Sequence, residues 1–155
     1  MKCLVTGGAG FIGSHITEEL VRAGHSVTVF DNLFTGNRKN LSAVASAIEL
    51  IEDTVENAAA VQRAMRGVEC VFHQAAISSS YLIRTPDERR RALAVNVGGF
   101  LNVLEAVRQS GVRRVIYASS SSLYDCRRLP FKETDAPAPL NFYAATKLMM
   151  EDLAG

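Results

Sequence analysis

The stretch VTGGAGFIGSH, residues 5–15, constrains the fold more than any other part of the chain. It follows the apolar run CLV and leads into Ile12, Ile16 and Leu20, which recur every four residues and lay one apolar stripe along a helix. Gly8, Gly10 and Gly13 satisfy G-x-G-x-x-G, and Gly7, Gly10 and Gly13 satisfy the T-G-x-x-G-x-x-G variant. A tight turn alone could use glycines. A strand before the loop and a helix after it ask for more. The first glycines let the chain turn and bring backbone N–H groups close to a diphosphate, and the last lets helix and strand pack closely. The helix N-terminus then faces the anion.

The rest of the chain repeats the alternation. Gly24 ends the first helix, and SVTVFD (26–31), IELIED (48–53), ECVFHQAA (69–76) and RRVIYASS (113–120) read as further strands. An Ala-rich helix spans roughly 55–66. A longer one begins at Thr85, where Thr85, Pro86 and Glu88 form a capping box, and runs to about Ser110 before Gly111 stops it. Its apolar residues fall into two stripes: Leu93, Val97, Leu101 and Leu104, and Phe100, Val103 and Val107. One should face the sheet and the other needs a different partner. A loop with Pro130, Pro137 and Pro139 leads to a last helix from about Phe142. Five strands with helical crossovers predict an α/β chain, a doubly wound parallel sheet with helices on both faces.

With 155 residues, 48% hydrophobic and 21% charged, the chain suits one domain with a real core. No apolar run nears the ~20 residues of a membrane span, and the apolar start MKCLVTGG is too short for a secretory segment. A net charge of +1 gives no field for nucleic acid or membrane. Cys3, Cys70 and Cys126 are scattered, with no CxxC pair, so neither a disulfide framework nor a metal site is expected, and a cytoplasmic location is. The run ERRRA (88–92) reads as a solvated helix face, with phosphate contact as the alternative.

Asp31 ends the second strand. Its carboxylate can accept hydrogen bonds from both adenosine ribose hydroxyls and would repel a 2'-phosphate, which favours NAD over NADP. Arg38 and Lys39 lie near in sequence and leave NADP open. The fifth strand ends in four serines, 119–122, where open α/β sheets bind ligands. Tyr143 and Lys147, four residues apart, share a face of the last helix. A tyrosine titrates near ~10, so it needs nearby positive charge to act as a base. Lys147 and an oxidised nicotinamide would supply it, and a serine could hydrogen-bond the same substrate oxygen during hydride transfer.

With TGGAGFIGSH, DNLFTGNRKNL, VFHQAA, NVGGFLNVLEA, YASSSSLY and YAATK in this order, the chain resembles the extended short-chain dehydrogenases/reductases of the NAD-dependent sugar epimerase/dehydratase family. Within it the chain is most similar to the UDP-hexose 4-epimerases acting on UDP-glucose or UDP-N-acetylglucosamine. The resemblance implies a Rossmann-like sheet of order 3-2-1-4-5. It implies that Gly7, Gly10, Phe11, Ile12 and Gly13 hold the cofactor diphosphate, that Asp31 and Asn32 bind the adenosine end, and that Asp53 meets the adenine edge. Ala75 and Ala76 would line the cofactor channel and Asn96 would support it. Ser120 would be the catalytic serine, Tyr143 the base and Lys147 its partner, the last two also touching NAD.

Dehydratases of the family carry acidic residues just after the catalytic hydroxyl. Here Ser121 and Ser122 stand there, which disfavours dehydration and decarboxylation. Asp125 replaces the family's glycine, Phe142 its proline before the tyrosine, and Thr146 its common serine. Family members continue beyond the Tyr helix into a region that binds the sugar nucleotide. The expectation is therefore an NAD-binding domain over 1–155, a cut piece or truncated product of an epimerase, active on a UDP-hexose only in the longer enzyme. The alternatives are a non-catalytic dinucleotide-binding or dimerisation module, and a reductase or dehydratase of the same family. The resemblance also implies a homodimer through helices 86–110 and 143–154, with Phe100, Val103 and Val107 as the spare stripe. An apolar edge is expected at Leu148, Met149 and Leu153.

Overall fold

Turning at Gly7 fixes where the sheet ends. In a computed structural model of the chain, β1 (Lys2–Thr6), β2 (Ser26–Phe30), β3 (Ile48–Ile51), β4 (Cys70–His73) and β5 (Arg114–Tyr117) form one parallel sheet in the expected order, β3-β2-β1-β4-β5. The structure describes residues 1–78, 82–124 and 129–155; Asp125 and Cys126 lie outside the described residues. The strands are shorter at their carboxyl ends than the apolar runs suggest. Beyond Thr6 isolated bonds continue the ladder: Gly7 N–H to the Phe30 carbonyl at 2.8 Å, Asp31 N–H to the Ile51 carbonyl at 3.1 Å and Gln74 N–H to the Thr6 carbonyl at 2.9 Å.

The chain divides into two compact units, Met1–Ala75 with Gly99–Ala118, and Ala76–Gly98 with Ser119–Gly155. The first holds the sheet, α1 (Phe11–Arg22), α2 (Ala58–Ala64) and α4 (Gly99–Arg108). Side chains alternate across a strand, so each sheet face receives its own layer. On one face Val5, Val27 and Val29 pack with Ile16 and Leu20 of α1 and with Phe72. On the other, α4 sets the Phe100 ring 5.1 Å from His73 and 4.9 Å from Tyr117. The Nδ2 of Asn102 ties α4 to the Val55 and Glu56 carbonyls before α2, and a Cβ on Gly99 would lie 2.4 Å from Val55.

The second unit holds α3 (Pro86–Leu93), a π turn over Ala94–Gly98, a 3-10 turn over Ser121–Leu123, and α5 (Phe142–Ala154). The capping box at α3 is complete: Thr85 accepts from the Glu88 N–H and Glu88 accepts from the Thr85 N–H. The Asn141 side chain caps α5 through the Ala144 N–H at 2.8 Å. Ala92, Leu123, Ala144 and Met150 are buried in this unit; of the apolar edge expected on the last helix, Met149 and Leu153 are exposed and Leu148 is half-buried.

Two expectations need correction. The single helix over 86–110 is broken by the π turn, a feature that no propensity signal marks. The stripe expected to be spare is the buried one. Phe100, Val103 and Ala106 face the core of the first unit, because α4 meets the sheet side through positions three apart. Of the other stripe, Leu101 is 43% accessible in the first unit and Leu93 is 41% accessible in the second. Cys3 and Cys70 are buried register partners on β1 and β4, and burial raises both thiols above their ordinary range. Among the described residues, no helix is long and apolar enough to cross a membrane.

Urea denaturation tests the assignment of stripes. Phe100→Ala is expected to cost about 3–5 kcal/mol. Leu101→Ala, on the exposed side, should stay within about 0.5 kcal/mol. Equal losses would contradict the assignment.

Candidate functional site

The loop between β1 and α1 is held by contacts that exclude side chains. Gly7 has φ +67°, and a Cβ there would sit 2.6 Å from the Ala75 nitrogen. A Cβ on Gly13 would lie 2.2 Å from the Gly7 carbonyl oxygen, so helix and strand meet backbone to backbone. A Cβ on Gly10 meets only that same oxygen, at 3.2 Å. The N-termini of α2, α3 and α5 are capped by the side chains of Asn57, Thr85 and Asn141. That of α1 begins at Gly10 and has no side-chain cap and no acidic residue in its first turn. Its N–H groups and the positive end of the helix are therefore left for an external anion. Phe11 and Ile12 beside it are exposed.

Asp31 is buried, and its carboxylate holds the loop. One oxygen accepts from the Ala9 N–H at 2.9 Å and the other from the Leu33 N–H at 2.8 Å. Each oxygen retains acceptor capacity for a ribose hydroxyl. The Ala9 carbonyl is bound from the other side by the Asn37 N–H at 3.0 Å and the Asn40 side chain at 2.8 Å. These two asparagines were not singled out in the sequence, although the Gly-Asn-x-x-Asn spacing after a strand is a turn signal. Asn32 is exposed, its side chain accepting from the Phe34 N–H. The Arg38 guanidinium is paired with Glu52, which removes it as a ready partner for a 2'-phosphate. Asp53 accepts from the Asn57 side chain and the Thr54 N–H, at the start of α2.

The second unit brings Ser120, Tyr143 and Lys147 together. Ser120 caps the 3-10 turn, accepts from the Ser122 N–H and lies 2.7 Å from the Ser122 hydroxyl. It also hydrogen-bonds Tyr143. The Lys147 ammonium is buried and lies 5.8 Å from the centre of the Tyr143 ring. Burial lowers Lys147 from 10.5 to about 8. Burial also holds the Tyr143 hydroxyl above its ordinary value of 10, and the Ser120 hydrogen bond only partly offsets it. The sequence suggested that Lys147 would help make Tyr143 a base. In the chain by itself, desolvation wins and the phenol stays protonated.

Asn96 is fully buried in the π turn. Its Oδ1 accepts from the Ile77 N–H at 2.7 Å, and its Nδ2 donates to the Ile77 carbonyl at 3.1 Å and to the Thr146 hydroxyl at 3.0 Å. Thr146 in turn donates to the Tyr143 carbonyl at 2.7 Å. One amide thus joins the segment after Ala76 to the helix that carries Tyr143 and Lys147. Ala75 and Ala76 are both half-buried; Ala75 lies against Gly7, within the first unit. A cavity of about 590 Å³ opens beside Tyr143, lined by Ser78, Ile83, Arg89, Leu140, Asn141 and Phe142. Among the described residues no group of His, Cys, Asp and Glu could hold a metal ion.

A parallel five-stranded sheet whose first strand turns through a glycine loop into an uncapped helix defines a dinucleotide-binding α/β domain of the short-chain dehydrogenase/reductase type. The chain belongs to the NAD dependent epimerase/dehydratase family, whose model matches residues 3–154. It is 35% identical over 159 residues to a UDP-glucose 4-epimerase of Lactobacillus helveticus, covering 99% of this chain and 46% of that protein. It is similar to the crystal structure of the UDP-glucose 4-epimerase of Thermotoga maritima with UDP-glucose (TM-score 0.91, 33% identity, 99% of this chain and 50% of that one). The UDP-glucose 4-epimerase of Thermus thermophilus in complex with NAD is also similar (TM-score 0.88, 38% identity, 99% and 50%). The chain spans about half the length of the relatives it matches.

Lys147 gives a pH test. Its folded value of about 8 lies below the 10.5 of an unperturbed lysine, so between the two the unfolded chain binds a proton that the folded chain does not. Raising the pH through that window therefore favours folding, by at most about 1.4 kcal/mol per pH unit. Above 9 the raised thiols of Cys3 and Cys70 act in the opposite sense. Between pH 8 and 9, the stability of the parent chain should rise relative to that of Lys147→Met in parallel denaturant titrations. A constant difference would contradict the assigned value.

Proposed function

We propose that residues 1–155 form the NAD-binding part of a nucleotide-sugar 4-epimerase, acting on a UDP-hexose. The observation that carries the reading is that Ser120, Tyr143 and buried Lys147 lie together in the second unit, with Lys147 one helical turn along from the tyrosine and 5.8 Å from its ring. The residues present fit NAD: Gly7, Gly10 and Gly13 keep the loop free of side chains, and α1 offers its uncapped N-terminus to the diphosphate. Phe11 and Ile12 flank that end. Asp31 and Asn32 would take the adenosine ribose, and Asp53 the adenine edge. Ala75 and Ala76 would line the path of the cofactor. Asn96 would hold the segment after Ala76 in place, and Tyr143 and Lys147 would meet the nicotinamide ribose. The fixed charge of Asp31 and the pairing of Arg38 with Glu52 support NAD over NADP.

Bound NAD supplies a hydride acceptor that can give the hydride back and, in its oxidised form, positive charge that Tyr143 needs in addition to Lys147. Tyr143 then takes the proton of the sugar C4 hydroxyl. Ser120 donates a hydrogen bond to the same oxygen and holds it as it becomes a carbonyl. Tyr143 returns the proton when the opposite face of the keto sugar is reduced. Ser121 and Ser122 offer no carboxylate for elimination, which supports epimerisation over dehydration.

Two copies would pair through the helices at 86–110 and 143–154, with the exposed apolar residues Leu93 on α3 and Met149 and Leu153 on α5 of the second unit at the contact. Leu93→Glu should then shift the sedimentation coefficient from dimer to monomer; an unchanged coefficient would contradict pairing through this face.

For the chemistry, in the whole epimerase of which this chain would be the NAD-binding part, reduction of bound NAD by UDP-glucose is followed by the near-ultraviolet absorbance of NADH. Tyr143→Phe is expected to slow it by about 10²–10⁴-fold, with NAD affinity kept within about threefold. Asp31→Ala should weaken NAD binding by about tenfold or more. A Tyr143→Phe variant that retains full reduction would defeat the reading.

A further inference from the structure

The cavity beside Tyr143 sets one cation among apolar and neutral polar residues. Among its described lining residues the charged one is Arg89, and none is a carboxylate. The acidic neighbours of Arg89 on α3 are already engaged. Asp87 pairs with Arg90 at 2.5 Å, and Glu88 accepts from the Arg84 and Thr85 N–H groups in the capping box. Among the described residues Arg89 makes no ion pair. The Asn141 side-chain oxygen accepts from the Ala144 N–H in the α5 cap, and its NH₂ remains a donor beside the cavity. Ser78 and Tyr143 add hydroxyls. A neutral sugar asks for donors and acceptors alike. A guanidinium without an ion pair, beside a cavity with no carboxylate among its described lining residues, can take an anion, and a planar carboxylate is the group that a guanidinium meets with two parallel bonds.

Resting on the C4 chemistry proposed above, we infer that the substrate is a nucleotide hexuronate and that Arg89 binds its C6 carboxylate. The geometry of a pyranose supports this source of the charge. C6 hangs from C5, the direct neighbour of the carbon at Tyr143, whereas the diphosphate hangs from C1 across the ring. Arg89 thus sets which sugars are accepted, and Tyr143 acts on the carbon next door.

The test uses the NAD-saturated epimerase of which this chain would be the NAD-binding part, titrated with UDP-glucuronate and with UDP-glucose and read by the backbone amide NMR signals of Ser78 and Asn141, which report millimolar as well as tighter binding. UDP-glucuronate is expected to bind about tenfold or more tighter than UDP-glucose. Arg89→Ala should abolish that preference and leave UDP-glucose affinity unchanged, with Arg89→Lys retaining part of it. Arg89 is exposed, so both variants should keep the parent far-UV spectrum. A preference that survives Arg89→Ala, or an equal loss for both ligands, would overturn the assignment, the latter by placing Arg89 at the diphosphate. Binding of UDP-glucose with no preference for the uronate sinks this inference and leaves the epimerase reading standing. Failure of both ligands to bind overturns the two together.

Discussion

The first unit depends on one close approach. Gly13 comes so near the Gly7 carbonyl that no side chain can stand between them, and Gly7 itself lies against the nitrogen of Ala75. That contact sets where β1 ends, how tightly α1 packs on the sheet, and how short the neighbouring strands become. It also leaves α1 starting on a glycine, the reason its N-terminus lacks the side-chain cap found on α2, α3 and α5. A helix end without a cap is a local loss of stability. The chain accepts it at the position where an external anion can replace the cap.

The second unit is organised around a buried amide instead. Asn96 uses its oxygen and both amide hydrogens on Ile77 and Thr146. It can do so because the π turn directs an otherwise helical residue into the interior. The chemical groups sit one step further on. Burial shifts Tyr143 and Lys147 in opposite directions, each toward its neutral form. The pair is thus held against its own charging, and a cationic ring brought nearby would favour the charged form of Tyr143 while further disfavouring that of Lys147.

Much of this was legible in the sequence. The glycine loop, the alternation of strands and helices, the capping box at Thr85 and the i, i+4 pair Tyr143 and Lys147 are local patterns, and local patterns survive folding. What was hidden depended on tertiary packing. Periodicity found two stripes on the helix at 86–110 but could not say which one faces the core, and Phe100 and Val103 were assigned to the wrong side. The π turn has no composition of its own. Asn37 and Asn40 matter only because the Ala9 carbonyl lies within reach of both. The cavity at Tyr143 draws Ser78, Arg89 and Asn141 from three separate stretches, so no single motif announces it.

The tethering of Ala9 has a kinetic consequence. Its N–H is bound by Asp31 and its carbonyl by Asn37 and Asn40, so the loop is ordered before any ligand arrives. Little entropy remains to be lost when a diphosphate enters, and no slow ordering step stands before the encounter. Association should then be limited by diffusion and orientation rather than by loop closure. Substitutions around Ala9 would be felt mainly in the residence time of the cofactor, and hardly in how fast it arrives.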